Sequence, residues 1–342
     1  MAVGGLLLAV CLLAVMASSV EVPKLKMLDG REMPAIALGT FLGFEKNAFR
    51  EPQENEMRDV ILQAIDLGYR HIDTAQIYGT EAQIGEGIKK KIEEGVIKRE
   101  DIFVTDKLWN TAHKKEQVLA AIKESLNKTG LDYIDLYLMH WPLGLNDDYS
   151  NNDIDYMETW RGLEDVQRLG LAKSIGVSNF NKEQMQRLIA ESSIKPVALQ
   201  IEVHPQFIQT ELIDLCKSEG IIVMGYSPFG TLVKRFGLLF PGPKMNDPEL
   251  LAIGQKYGKN VPQIVLRWAV DRNVVPLPKT VNPKNLADNI NIFDFKLTPQ
   301  EIEKISQFNS DLRITLPSFW QTHPYYPFEK VAYPIADPFK AT

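Results

Sequence analysis

Polar side chains stand at the ends of several apolar segments that read as buried strands, and their types suit acid–base chemistry. The set comprises Asp73, Lys107, His140, Ser178, Asn179, Gln200, Glu202, Tyr226 and Lys279. Each residue alone has a structural explanation, such as a helix cap for Asp73 or a satisfied core histidine for His140. Their occurrence at equivalent places in a repeated pattern favours a functional site.

Tyr78 follows Asp73 by five residues and completes a set that can move a proton. A tyrosine with a reference pKa of about 10 is a poor acid–base catalyst at neutral pH unless its anion is stabilised. A buried lysine ammonium nearby gives that stabilisation, and a carboxylate keeps the lysine charged. Asp73, Lys107 and Tyr78 can form this relay, with His140 as a donor that polarises a carbonyl oxygen.

The elements that must position these residues follow a repeated pattern of helix, glycine and strand. Gly68, Gly130, Gly170 and Gly220 each end a predicted helix and precede a β-branched or aromatic run. Predicted strands begin near residues 35, 69, 103, 133, 172, 197, 221 and 274. Short apolar strands that alternate with helices form a parallel sheet, and eight such units in about 300 residues predict a (β/α)8 TIM barrel.

Further patterns refine this architecture. The predicted helices are residues 54–68, Glu116–Thr129, Met157–Leu169, Thr210–Ser218, Pro248–Tyr257 and Pro299–Phe308. Asp29-Gly30 predicts a two-residue β-hairpin turn before the first unit, and this hairpin is expected to cap the bottom of the barrel. A long loop at residues 231–247 leaves the carboxyl-terminal face, where long loops tend to be functional.

Composition and missing motifs exclude several classes of protein. A net charge of −6 argues against nucleic-acid binding, and two cysteines in 342 residues exclude a disulfide scaffold. No metal site is predicted. The chain lacks the glycine-rich dinucleotide fingerprint, the phosphate-binding loop, the zinc-protease motif and the serine-hydrolase elbow.

The first residues read as a secretory leader rather than as part of the barrel. Residues 6–15 are apolar and too few to span a bilayer, and small residues at 17 and 19 predict cleavage after Ser19. The predicted organisation is therefore a signal peptide at 1–19 and one barrel domain at 20–342. A retained anchor or a buried first helix is the alternative. Asn127-Lys128-Thr129 is a candidate glycosylation site on this route.

Four long motifs occur in order along the chain. They are GYRHIDTAQIYGTEAQIGEGI at 68–88, DIFVTDKLW at 101–109, GLAKSIGVSNF at 170–180 and VPLPKTVNPKNLADN at 275–289. With these motifs the sequence resembles an aldo-keto reductase, and the resemblance runs from about Lys24 to Phe328. It implies an NADPH-dependent oxidoreductase that reduces an aldehyde or ketone.

The resemblance also implies roles for individual residues. Tyr78 would give a proton to the carbonyl oxygen while hydride arrives from nicotinamide C4, with Asp73 and Lys107 tuning Tyr78 and His140 orienting the carbonyl. Ser178, Asn179 and Gln200 would bind the carboxamide, and Tyr226 would stack on the nicotinamide ring. The remaining implied cofactor contacts are Gly39, Thr40, Asp73, Ser227, Phe229, Leu232, Lys279, Thr280, Lys284, Asp288 and Asn289.

The segment expected to meet the adenosine 2′-phosphate departs from the family pattern. Family members that prefer the phosphorylated cofactor commonly carry Lys-Ser and then an arginine five residues after the serine. Here Lys279-Thr280 is followed by Asn285 at the arginine position, with Lys284 beside it. NADPH remains the expected cofactor, and NADH is the alternative.

The expected substrate pocket is aromatic. Its walls are Phe41, Trp109, Trp141, Phe319 and Trp320, which suit a bulky apolar carbonyl compound. Such a pocket in a secreted member of the family suggests an insect 3-dehydroecdysteroid reductase as one candidate. In the alternative, the C-terminal aromatic residues only cover the bottom or side of the barrel.

Other functions and settings stay open at this point. A non-catalytic, cofactor-binding sensor barrel is the main alternative, and a glycosidase would need a second carboxylate beside Asp73, for which Glu202 is present. The expected partner is a small-molecule carbonyl substrate, with no nucleic acid and no stable membrane insertion. We expect a monomer in the secretory lumen or outside the cell, with the cytoplasm as the alternative.

Overall fold

The N-terminal hairpin closes one end of the barrel. The structure is a computed structural model, and it describes residues 20–45, 48–234, 240–335 and 337–339. Strands β1 (Lys24–Lys26) and β2 (Glu32–Pro34) pair antiparallel. The turn between them differs from the prediction: Gly30 N donates to Met27 O at 3.0 Å and Met27 N to Arg31 O at 2.8 Å, so the loop has three residues. Gly30 takes a φ of +87°, which is typical of the left-handed position in such loops.

Eight parallel strands form the barrel. The strands after the hairpin are β3 (Leu38–Gly39), β4 (Phe44–Glu45), β5 (Ala48–Phe49), β6 (His71–Asp73), β7 (Phe103–Leu108), β8 (Ile134–Met139), β9 (Ala172–Ser178), β10 (Ala198–Glu202), β11 (Ile222–Tyr226) and β12 (Val274–Leu277). β4 and β5 form a small antiparallel hairpin, and the other eight pair in the order β3-β6-β7-β8-β9-β10-β11-β12. Backbone bonds from Ala37 N to Pro276 O (3.1 Å) and from Gly39 N to Pro278 O (3.0 Å) close the ring. The predicted barrel is confirmed.

Helices surround the sheet. They are α1 (Glu56–Leu67), α2 (Glu81–Glu93), α3 (Lys115–Thr129), α4 (Tyr156–Arg168), α5 (Lys182–Glu191), α6 (Thr210–Ser218), α7 (Pro248–Tyr257), α8 (Val261–Asp271), α9 (Pro283–Ile290) and α10 (Pro299–Ser306). The six predicted helices are present within two residues at each end. α2, α5, α8 and α9 were not predicted. The glycines of α2 lower its helix propensity, so its sequence does not predict a helix. Gly85 is needed there because a Cβ would lie 1.8 Å from Thr129 O.

The interior of the barrel is apolar at the amino ends of the strands and polar at their carboxyl ends. Met27 and Met33 of the hairpin are buried against Phe103, Val197 and strand residues further up the barrel. This packing places a continuous apolar plug at the amino ends of the strands. The polar side chains therefore collect at the opposite, carboxyl-terminal face, where barrels of this type place their sites.

The remaining predictions concern the leader and the surface. The leader and its predicted cleavage site at Ser19 lie outside the described residues. Asn127 is exposed in the last turn of α3, and the Thr129 hydroxyl donates to Ser125 O at 2.8 Å. Within the described ranges, no helix is long and apolar enough to cross a bilayer.

Candidate active site

A buried ion pair forms the centre of the site. Asp73 ends β6 and Lys107 lies on the adjacent β7, so both side chains reach the carboxyl-terminal face of the barrel. Lys107 Nζ lies 2.7 Å from Asp73 Oδ1 and donates to Thr74 O at 2.7 Å. It also donates to Tyr78 Oη at 3.4 Å. Lys107 is fully buried, so the ammonium is directed at one carboxylate, one carbonyl and one phenol.

The second oxygen of Asp73 has its own donor. Gln200, on β10, donates from Nε2 to Asp73 Oδ2 at 2.6 Å. Burial raises the pKa of Asp73, while Lys107 and Gln200 lower it, and the net direction is upward. The contact to Asp73 was not predicted for Gln200, because strands that lie across the barrel from one another are brought together only by closure of the ring.

Tyr78 is held as a neutral phenol. It lies in a short helical turn, Gln76–Tyr78, directly after β6. Burial raises the pKa of Tyr78 well above its usual range, and the carboxylates of Asp73 and Asp106 act in the same direction. The sequence predicted a lysine that stabilises the phenolate, and Lys107 is in position to do so. In the resting site, however, desolvation dominates and the proton stays on Tyr78.

His140 faces Tyr78 from the end of β8. The two ring centroids are 5.7 Å apart with an interplanar angle of 79°. Burial lowers the pKa of His140 well below its usual range, and the charge on Lys107 adds to the effect, so the imidazole is neutral. Within the described chain, Nδ1 of His140 is buried without a hydrogen-bond partner. This environment favours the tautomer that carries its proton on Nε2.

A second group of polar residues adjoins this centre. Asn179 takes a φ of +63° directly after β9, and its Nδ2 donates to His140 O at 2.9 Å. Tyr226 Oη donates to Asn179 Oδ1 at 2.8 Å, which fixes the ring of Tyr226 at the end of β11. The Ser178 hydroxyl donates to Gln200 O at 2.9 Å. Asn179 Nδ2 also donates to Ser178 Oγ at 3.2 Å, so both hydrogens of this amide are engaged. Ser178 Oγ keeps one lone pair, and Gln200 Oε1 keeps acceptor capacity. These two acceptors match the N–H groups of a primary carboxamide.

The remaining predicted cofactor residues border the same cleft. Thr40 follows β3, and its hydroxyl donates to Asp73 O at 2.9 Å. Ser227 takes a φ of +54° after β11, and Phe229 and Leu232 lie in the short turn that follows. Part of the predicted loop at residues 231–247 lies outside the described residues.

The segment after β12 carries the other predicted contacts. Asn282 caps α9 by accepting from Lys284 N at 2.9 Å. Lys284 Nζ lies 2.6 Å from Asp288 Oδ2, so the charge of this lysine is paired within the helix. Asn285 is exposed beside it, Asn289 is buried, and Thr280 accepts from Asn282 N at 3.1 Å. Lys279 pairs with Gly39 in a parallel bridge at the seam of the barrel.

Aromatic side chains form walls above the ion pair. Trp109 lies against His140 with a centroid distance of 5.2 Å, and Trp141 packs on Trp320 at 5.5 Å. Phe319 packs on Trp320 at 4.8 Å, and Phe41 approaches Tyr78 from the other side at 5.1 Å. The C-terminal aromatic residues therefore lie at the upper face, not at the bottom of the barrel.

Comparisons with known proteins agree with this geometry. The model of the aldo/keto reductase family matches residues 35–310. The chain belongs to the aldo/keto reductase family. Aldo-keto reductase AKR2E4 of Bombyx mori is 48% identical over 309 residues, which cover 90% of this chain and 99% of the relative. Human aldo-keto reductase family 1 member A1 is 37% identical over 320 residues, covering 87% and 96%.

Solved structures of aldo-keto reductases share the fold at similar identity. Bombyx mori AKR2E4 in complex with NADP has a TM-score of 0.86 and 47% identity, and the match covers 91% of this chain and 100% of that one. AKR2E5 complexed with NADPH has a TM-score of 0.90 and 42% identity, with coverage of 94% and 98%. The fold and the family agree with the sequence prediction.

Glu202 has a different role in this aldo-keto reductase from the glycosidase carboxylate considered above. It is fully buried, and its Oε1 is 2.9 Å from His204 Nε2. The two oxygens also accept from Ile314 N at 2.6 Å and Thr315 N at 2.7 Å. All of these contacts are structural, so Glu202 anchors the start of the C-terminal segment over the barrel. Sequence reasoning gave no signal for the partners at 314 and 315.

Proposed function

We propose that the chain reduces an aldehyde or ketone to the alcohol with NADPH as the reductant. One observation carries this proposal: Lys107 Nζ connects Asp73 to Tyr78. It lies 2.7 Å from Asp73 Oδ1 and 3.4 Å from Tyr78 Oη, and the ring of Tyr78 lies beside the neutral His140. A phenol that keeps its proton and faces a buried ammonium is a proton donor whose anion is stabilised as it forms.

The side chains divide the work of the proton transfer. The carbonyl oxygen binds between Tyr78 Oη and His140 Nε2, and both donate hydrogen bonds to it. NADPH, when bound, supplies hydride from nicotinamide C4. Tyr78 then releases its proton to the oxygen, and the charge left on Tyr78 Oη is stabilised by Lys107 Nζ. Asp73 balances the charge on Lys107 throughout, so the site needs no rearrangement.

The chain offers a matching set of groups for the cofactor. Ser178 and Gln200 offer acceptors for the N–H groups of the carboxamide, and Asn179 Nδ2 would donate to its oxygen by giving up the bond to Ser178 Oγ. The ring of Tyr226 gives a flat surface for nicotinamide. The complexes of AKR2E4 with NADP and of AKR2E5 with NADPH support the same choice. Lys279 and Thr280 stand where the 2′-phosphate contact is expected, and Asn285 replaces a bidentate guanidinium.

The aromatic walls favour a bulky, flat and apolar carbonyl compound. Trp109, Trp141 and Trp320 present large apolar faces within reach of His140. A ketosteroid such as a 3-dehydroecdysteroid has a matching shape, and it is our specific proposal for the substrate.

A spectrophotometric assay tests the reaction and separates it from the sensor alternative. We expect the full chain to consume NADPH when an aromatic aldehyde is added. Tyr78→Phe should lose about 10²- to 10⁴-fold in rate, because general acid catalysis is removed. The control is cofactor affinity, measured by fluorescence titration, which should be unchanged in the variant. A wild-type protein that binds NADPH but reduces no carbonyl compound would instead be a sensor, and a variant with full activity would exclude Tyr78 as the acid.

We also propose that the chain enters the secretory pathway. The apolar stretch at 6–15 and the small residues before Val20 support cleavage after Ser19. Expression of the full chain in cultured eukaryotic cells should release a protein that begins at Val20 into the medium. Asn127→Gln is the control for glycosylation, and retention in the cytosol with an intact leader would contradict the proposal.

A further inference from the structure

The far C-terminal segment carries an aromatic side chain that sits among the walls of the site. Phe339 stacks on Tyr149 with a centroid distance of 4.7 Å and an interplanar angle of 14°. It also stacks on Trp320, at 5.7 Å and 10°. A ring that is nearly parallel to two other rings occupies a flat aromatic slot, as a planar ligand would.

Two chains of ring contacts connect this slot to the reacting residues. On one side Phe339 packs on Trp109 at 5.6 Å, and Trp109 packs on His140 at 5.2 Å. On the other side Phe339 packs on Phe49 at 5.2 Å, and this residue leads through Phe41 to Tyr78. Phe339 therefore bridges the β4–β5 hairpin and the tryptophan wall, across the outer part of the substrate pocket.

Beyond Val331, which exchanges two hydrogen bonds with Gln321, the described part of the tail is held to the rest of the chain by one hydrogen bond and by the ring of Phe339. Ile335 N donates to Ser318 Oγ at 3.0 Å, but Tyr333 is 92% exposed and Ile335 is 60% exposed. In the described part of the tail beyond Ile335, hydrogen bonding is local: Phe339 N donates to Asp337 Oδ1 at 3.0 Å. A segment with few anchoring bonds, whose Phe339 side chain is half-buried among other rings, can leave its slot without disturbing the barrel.

We propose that Phe339 is an internal occupant of the outer substrate site, which the flat apolar ring system of a substrate displaces. The inference rests on the proposed function and adds the means by which the site distinguishes substrates. A polycyclic ketone must compete with Phe339 for the slot between Tyr149 and Trp320. A small aliphatic aldehyde reaches Tyr78 and His140 without entering the slot.

Removing the ring should therefore strengthen the binding of large substrates. Apparent affinity is lowered by the fraction of molecules whose site is open, so Phe339→Ala should reduce KM for a polycyclic ketone by roughly 10-fold. KM for a small aliphatic aldehyde should change by less than about twofold on the same argument. Tyr333→Ala is the matched control, because it removes an exposed ring from the same tail. An unchanged or increased KM for the polycyclic ketone in Phe339→Ala would overturn the proposal, since Phe339 would then be inert or a supporting wall.

A peptide added in trans gives a second test that needs no turnover. The peptide ADPFKAT has the sequence of residues 336–342. When it is added to the Phe339→Ala protein, we expect saturable quenching of tryptophan fluorescence and competition with the polycyclic ketone. The same peptide with alanine in place of phenylalanine should do neither, and equal effects of the two peptides would refute the slot. If the wild-type chain reduces no carbonyl compound, the proposed function is wrong. The fluorescence titration still tests whether Phe339 occupies the slot, because it does not depend on turnover.

Discussion

Neutralising Asp73 tests the electrostatic core of the site. In Asp73→Asn the ammonium of Lys107 loses its counter-ion but keeps its bond to Thr74 O at 2.7 Å. Removing one partner of a buried ion pair costs about 3–5 kcal/mol, because the other charge stays buried without compensation. The remaining carbonyl contact places the expected loss near the lower bound, at about 3 kcal/mol of unfolding free energy.

Burying the ion pair of Asp73 and Lys107 costs free energy, so variants of Lys107 form the second part of the test. Burial raises the pKa of Asp73 even with Lys107 beside it, so desolvation is not fully offset by attraction. Lys107→Met alone leaves the carboxylate uncompensated and should also destabilise the fold. The double variant removes both charges of this ion pair. It should recover about 2 kcal/mol or more relative to the sum of the two single variants.

Urea unfolding followed by tryptophan fluorescence measures these free energies, with the slope checked for constancy across variants. A coupling energy near zero would refute the reasoning, since it would mean that the two charges do not depend on each other. Activity gives an independent reading. All three variants should reduce an aromatic aldehyde about 10²-fold or more slowly than the wild type, including the double variant that regains stability.

Two further predictions concern cofactor choice and acid stability. Asn285→Arg should lower KM for NADPH about 5-fold and leave KM for NADH unchanged in initial-rate assays, because an exposed guanidinium–phosphate contact is worth about 1 kcal/mol; equal changes for both cofactors would contradict it. Burial raises the pKa of Glu301, but hydrogen bonds from Lys256, Thr298 N and Tyr257 lower it to about 2. A carboxyl with a lowered pKa stabilises the fold above its unfolded pKa and loses that contribution as pH falls. At pH 7 the wild type should therefore be more stable to unfolding than Glu301→Gln by about 2–3 kcal/mol. This difference should disappear as the pH falls from about 4.5 to 2.

The barrel could be predicted because local signals agree with the global fold. A glycine that ends a helix and the β-branched run that follows it are local signals, only a few residues long. They predict strand starts within three residues of those observed. Helix α8 was not predicted because its first residues, VPQIVL, have the composition of a strand. The tight contact of Gly85 with Thr129 O explains why a glycine-rich segment is still the helix α2.

The site was predictable in its parts but not in its connections. Residues at strand ends point to one face of any parallel barrel, so Asp73, Lys107 and His140 could be grouped from their spacing. The bond from Gln200 to Asp73 joins residues 127 positions apart, and nothing in their local sequence signals it. The same holds for Phe339, whose ring partners lie in β5, in the short helical turn Ser318–Trp320 and in two loops.

Burial keeps the two hydrogen-bond donors of this site neutral. The same desolvation raises the pKa of Tyr78 and lowers that of His140, so both groups are neutral hydrogen-bond donors before substrate binds. Reduction of a carbonyl needs a proton on Tyr78, whereas oxidation of an alcohol needs Tyr78 as a base. The resting site therefore holds the proton that reduction uses, and Lys107 matters most after that proton has left, when its ammonium faces a phenolate 3.4 Å away. A lysine placed to stabilise the product of proton transfer lowers the barrier without deprotonating the acid in advance, which reconciles the raised pKa of Tyr78 with its use as the acid.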